Sequence, residues 1–159
     1  MSSQNQAKYV AAGAGQIYWG PGDQMRFLIT GAETSGAFCM AELSVLPGGG
    51  PPPHIHQRED ESFFLQQGTL TIHVGDQTFH ASPGDFVHLP RGIQHSFRNT
   101  SNESAKMLVT LTPGGLENFF KETFDLAVEG SAPPALTETF IARAQAASAR
   151  YGVELLPPK

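Results

Sequence analysis

Two histidines stand one residue apart at His54 and His56, a carboxylate follows at Glu61, and a third histidine comes later at His95. In an extended strand residues i and i+2 project from the same face, so both imidazoles of the pair can be aimed at one point. Glu61 opens an apolar stretch with Phe63 and Leu65 on its own face. A carboxylate turned into an apolar interior is costly unless a cation or hydrogen bonds compensate it. His95 follows the turn residues Pro90 and Gly92, on a segment able to lie beside the first. Three imidazoles and one carboxylate converging on a point make a metal site. Four protein ligands saturate a tetrahedral zinc ion and would make it structural. An octahedral ion would keep two positions open for water, substrate or dioxygen. The donors suit one divalent transition metal, Fe, Mn, Ni or Co, with Cu or Zn also compatible, and no thiolate is present to favour zinc.

The elements that must carry these residues are short strands. Residues 24–30 alternate Met25, Phe27 and Ile29 against Arg26, Leu28 and Thr30, and residues 37–46 form another strand candidate. The run from Pro47 to Pro53 breaks regular structure. From Glu61 to Thr112 strand and turn alternate, with turns at Gly68, Gly75-Asp76, Pro83-Gly84-Asp85, Pro90-Arg91-Gly92 and Thr100-Ser101-Asn102. Such even spacing predicts an all-β barrel or sandwich, and no βαβ alternation is visible. After Pro113-Gly114 the period changes. Leu116, Phe119, Phe120 and Phe124 make one helical stripe, and a second helix is expected from about Thr137 to Arg150 with Gly152 as its stop. Both helices should cover the outside or one mouth of the barrel. The expected organisation is an arm over 1–22 with one short strand at Gln16 to Trp19, a barrel over 23–113, and a helical segment over 114–159.

The chain has 159 residues, net charge −5 and no block of Lys or Arg. One domain with a full core is expected, without the basic patch that a nucleic acid or an anionic membrane would need. Cys39 is the only cysteine, and the polar start lacks the order of a signal peptide. A cytoplasmic location is the expectation. Cys39 should fill space.

Two stretches carry a family likeness. Gly48, His54, His56, Glu61 and Gly68 reproduce the first sequence motif of the cupin superfamily, and Gly84, Pro90, Gly92, His95 and Asn99 reproduce the second. Fifteen residues, Thr69 to Pro83, separate the two, similar to the short spacing of compact microbial cupins. The resemblance implies a double-stranded β-helix, or jelly-roll, with C-terminal helices, and His54, His56, Glu61 and His95 as metal ligands. Within that superfamily PPPHIHQREDESFFLQQG and GDFVHLPRGIQHSFRN most resemble the quercetin 2,3-dioxygenase-like proteins. There the metal binds a flavonol and dioxygen opens its heterocycle with release of carbon monoxide. The resemblance further implies that Glu61 takes the proton of the flavonol hydroxyl, and that the protein is a homodimer. Several members carry two barrels in one chain, whereas one is visible here.

Met40, Phe63, Ile72, Phe97, Met107 and Val109 are expected to line an apolar substrate pocket, which suits an aromatic molecule better than a sugar phosphate. The expected function is a metal-dependent dioxygenase acting on an aromatic enol with dioxygen. The alternatives are a cupin that binds metal or a small molecule without turnover, or an isomerase or decarboxylase acting on a small polar substrate. His73 and His80 read as exposed, His88 as a possible neighbour of the ligands, Glu59 and Asp60 as rim charges, and Asn99 as a partner for backbone groups.

Overall fold

A computed structural model describes residues 6–157, so residues 1–5 of the expected arm and 158–159 of the expected helical segment lie outside the described residues. Its strands are β1 (Ile17–Gly20), β2 (Asp23–Ile29), β3 (Cys39–Val45), β4 (His54–His56), β5 (Asp60–Gln67), β6 (Leu70–Val74), β7 (Gln77–Ala81), β8 (Phe86–Leu89), β9 (His95–Arg98), β10 (Ala105–Thr112), β11 (Asp125–Leu126) and β12 (Val153–Leu155). Two helices, α1 (Glu117–Thr123) and α2 (Glu138–Tyr151), follow β10. All strand pairs are antiparallel. One sheet runs β11-β1-β2-β3-β10-β5-β8 and the other β12-β4-β9-β6-β7. The fold is an all-β jelly-roll with two appended helices.

Period-two alternation sets the core. In β3 the odd positions Cys39, Ala41, Leu43 and Val45 are buried and the even ones half-buried; β10 buries Ala105, Met107, Val109 and Leu111 in the same way. Register places Ala41 and Phe63 on either side of Val109, and Leu43 and Leu65 on either side of Met107. The opposite sheet answers with Leu70, Ile72, Val74 and Phe97. Phe63 and Phe97 meet edge to face across the gap, their ring centroids 5.5 Å apart. Burying such side chains from both sheets is the main force holding them together.

β1, β11 and β12 come from the segments on either side of 23–113 and are hydrogen-bonded into the two sheets. β11 and β12 were not legible in the sequence, since two or three residues are too few to show alternation. The helices obey their end signals. Thr137 caps α2 by accepting a hydrogen bond from Phe140 N at 3.1 Å, and Gly152 ends it at a left-handed φ of 66°. Ala144, Ala147 and Ser148 form its buried face. Leu116, Phe119 and Ala147 join the same apolar cluster as the barrel interior.

Candidate metal centre

The strand β4 owes its position to its neighbours. On one side His54 pairs with His95 of β9; on the other His54 faces Leu155 and His56 faces Val153 of β12. The turn before His95 is tied to the same strand, because Gly92 N donates to His56 O at 2.9 Å. Glu61 lies on β5 between Leu89 of β8 and Leu111 of β10. Its side chain shares the inward face with Phe63 and Leu65. Three strands therefore deliver the four side chains to one end of the barrel interior.

His54, His56, Glu61 and His95 come together, each offering one ligand atom, with all four atoms within 4.8 Å of one another. They are 8%, 3%, 6% and 2% exposed. Glu61 Oε2 stands 3.0 Å from His95 Nε2 and 3.4 Å from His56 Nε2. Two rings are fixed by backbone carbonyls two residues upstream: His54 Nδ1 lies 2.9 Å from Pro52 O, and His95 Nδ1 lies 3.1 Å from Ile93 O. A carbonyl can only accept, so each Nδ1 is the donor and each neutral ring turns its Nε2 lone pair inward. For His95 that lone pair faces a carboxylate oxygen. Two acceptors at hydrogen-bond distance require either a proton on the ring or a cation between them. A buried set of three such nitrogens and one carboxylate fits a divalent cation.

Electrostatics argue the same way. Burial, helped by the charges of His95 and His56, pushes His54 down to about 3. Burial also pulls on His56, but the charge and hydrogen bond of Glu61 outweigh it and raise its pKa. For Glu61 burial acts upward and loses to the charge and hydrogen bond of His56 and to the hydrogen bond of His95, which hold the carboxyl far below its usual range. The neighbouring imidazoles thus favour an ionised Glu61 carboxylate, and burial favours a neutral His54 ring beside it.

Of the expected pocket residues, Phe63, Ile72, Phe97, Met107 and Val109 lie within the core, each at most 6% exposed. Met40 is not brought to them. It sits on the opposite face of β3 from Ala41 and Leu43, beside Thr110. The run 37–46 is apolar at both parities, so sequence alone could not decide which set turns inward. Cys39 is buried in the core cluster. His73 and His80 are exposed, held by Thr78 and Thr71. His88 is exposed on β8 and does not reach the centre. Asp60 binds Arg91 at the rim, but Glu59 is 5% exposed and is no rim charge. Asn99 donates to Val45 O at 2.9 Å and to Glu103 O at 2.7 Å, knitting the turn after β9 to the end of β3. Gly50, which the motif reading passed over, has φ 131°, and a Cβ there would collide with the carbonyl of Phe97.

The family described as the cupin domain matches residues 41–111. A quercetin 2,3-dioxygenase of Bacillus subtilis (strain 168) is 31% identical over 105 residues, covering 65% of this chain and 31% of that protein. A second, from Aspergillus japonicus, is 29% identical over 102 residues, 60% of this chain and 29% of that protein. A putative germin-like protein 3-2 of Oryza sativa subsp. japonica is 32% identical over 123 residues, 73% of this chain and 52% of that protein. The chain thus spans about a third of the length of the two dioxygenases. Among solved structures, KdgF from a Halomonas species superposes with a TM-score of 0.62 at 16% identity, over 70% of this chain and 99% of that one. A predicted oxalate decarboxylase of Thermotoga maritima gives 0.62 at 20% identity, over 67% and 99%. At these identities the structural likeness is one of fold.

Proposed function

The chain carries a cupin domain at residues 41–111, and from that premise we propose that it is a metal-dependent dioxygenase of the quercetin 2,3-dioxygenase-like type, acting on an aromatic enol. In this reading His54, His56, Glu61 and His95 hold one Fe, Mn, Ni or Co ion. The observation that carries the reading is the buried quartet, whose ligand atoms all lie within 4.8 Å of one another. A divalent ion held there would supply Lewis acidity toward an enol oxygen and a place for dioxygen to react.

The chain's own residues do the rest. Glu61, kept ionised, would accept the proton of an enolic hydroxyl as it binds; its Oε2 lies 3.0 Å from His95 Nε2 and 3.4 Å from His56 Nε2, beside the point where the ion would sit. The apolar side chains behind it keep bulk water away and favour a ring system over a charged substrate. All six arginines are engaged elsewhere: Arg26 with Glu42, Arg58 with Arg150 O, Arg91 with Asp60, Arg98 with Gly48 O, Arg143 with Asp125 and Arg150 with Glu122. None is free to grip an anionic substrate, which disfavours the isomerase and decarboxylase alternatives.

A metal-binding protein without turnover is the second reading, and one observation favours it. Phe63 at 2% and Met107 at 0% exposure fill the interior behind the quartet. Oxygen consumption with quercetin, after separate reconstitution with Fe, Mn, Co and Ni, decides between the two. Turnover with at least one metal is expected; a metal-loaded protein that consumes no oxygen leaves only the binding role.

The homodimer belongs to the same proposal. Phe64 and Phe86, 44% and 64% exposed, are paired on the outer face beside the edge strand β8, a surface that a second copy would cover. No described helix is long and apolar enough to cross a membrane. The single buried thiol of Cys39 is consistent with a reducing, cytoplasmic setting.

A further inference from the structure

Of the three inward-facing imidazoles, two have their outer nitrogen secured and one does not. Nδ1 of His54 and of His95 each meets a backbone carbonyl, whereas Nδ1 of His56 is buried with no partner. Three residues further on, Glu59 is 5% exposed, and its Oε2 is likewise buried with no partner. One orphan can donate and the other can only accept. No hydrogen bond or ion pair joins them directly. Neither flanking residue hydrogen-bonds Glu59: Arg58 donates to Arg150 O at 2.9 Å and acts on the carboxylate only through its charge, and Asp60 is taken by Arg91. Glu59 is nevertheless near enough for its charge to act on His56. Buried polar atoms nearly always find partners, and a single enclosed water between complementary groups is an ordinary way of doing so.

Resting on the metal-binding reading above, we propose that Glu59 is the positioning residue for His56: its carboxylate accepts the Nδ1 proton through one bridging water and so keeps the Nε2 lone pair aimed at the ion. The carboxylate would do for His56 what Pro52 O and Ile93 O do for the other two rings. An imidazole whose outer nitrogen is unsecured can exchange tautomers or rotate, and outer partners of this kind are worth about 10–100-fold in metal affinity.

The test compares wild type with Glu59→Gln and Glu59→Met, which roughly preserve side-chain volume. Gln retains an acceptor oxygen and Met does not. Co(II) affinity is read by competition with a chelator. The metal-free protein is read by the slowly exchanging Nδ1 proton of His56 in NMR and by its melting temperature. The expected result is a Co(II) affinity about 10–100-fold weaker in E59M and near wild type in E59Q, with the Nδ1 proton protected in wild type and E59Q and lost in E59M. The melting temperature of metal-free E59M should be unchanged or higher, because a buried carboxylate, costly to desolvate, has been replaced by an apolar side chain. If E59M binds Co(II) as tightly as wild type, or if E59Q is as weak as E59M, the role of Glu59 is overturned while the metal centre stands. If wild type itself binds no Co(II), the centre falls and this role falls with it.

Discussion

Replacing Glu61 by Gln keeps the shape of the centre and removes its only ionised ligand. In the metal-free protein Oε2 sits 3.0 Å and 3.4 Å from two imidazole nitrogens, so the substitution acts at the point where a cation would be held. A ligand that binds only the folded state stabilises it by about 2.7 kcal/mol at a hundred times its Kd. For a domain of this size each kcal/mol moves the melting temperature by about 2–4 °C, so saturating Co(II) or Ni(II) should raise that of wild type by about 5–10 °C. Outer-shell substitutions alone weaken such sites by about 10–100-fold, so loss of a direct anionic ligand should cost at least about 100-fold. At the same metal concentration E61Q would then sit near its own Kd, where the stabilisation is about 0.4 kcal/mol and the shift about 1–2 °C. Differential scanning fluorimetry of the two proteins, each with and without metal after chelator treatment, makes the measurement. An E61Q protein that gains as many degrees as wild type would refute the assignment of Glu61. A wild type that gains nothing from any of Mn, Fe, Co or Ni would refute the centre itself.

Metal affinity should depend on pH with a definite sign. His56 has a raised pKa, so a proton competes with the ion, and Co(II) affinity measured by calorimetry should climb as pH rises and level off above that pKa. His54, pushed down to about 3, should add nothing to that slope above about pH 4. Asp23 behaves differently, because burial raises its pKa from 3.8 to about 7. Since the folded value exceeds the unfolded one, its share of stability is present below the unfolded pKa and is lost as pH rises toward about 7. Asp23→Asn should therefore match wild type in urea melts at pH 3.5 and exceed it at pH 8; equal stability at pH 8 would contradict the raised pKa. Gly50→Ala forces a side chain onto a φ of 131° and a Cβ into the carbonyl of Phe97, and should destabilise by more than about 1 kcal/mol in the same melts.

The four clustered residues were legible because two simple periodicities apply to them. His54 and His56 share a face by strand parity, and Glu61 shares one with Phe63 and Leu65. The same parity, extended two residues backward, would have found Glu59. It was hidden by the polar run Gln57 to Asp60, which reads as a surface loop. Met40 was misplaced for the opposite reason, since apolar residues on both parities of 37–46 left the inward set undetermined until pairing with β10 chose Cys39, Ala41 and Leu43. The strands from 61 to 112 and both helices could be read from turn residues and end signals. The partner of β4 could not, because Val153 to Leu155 carries no local sign that its hydrogen bonds go to His56 and His54.

That last pairing has a kinetic side. Of the strands holding His54 and His56, β9 contributes a single pair and β12 three, and beside the second contact Gln57 Nε2 donates to Glu154 Oε2, 97 residues away in the chain. Closing so long a loop is slow compared with forming the hairpins between 60 and 112. In refolding, the barrel's tryptophan-free middle should therefore collapse first, and the histidine pair should acquire its final alignment only when the distant strand docks. Capture of an ion by the finished quartet would be among the last events, making metal uptake a clock for the completion of tertiary structure and no guide to its beginning.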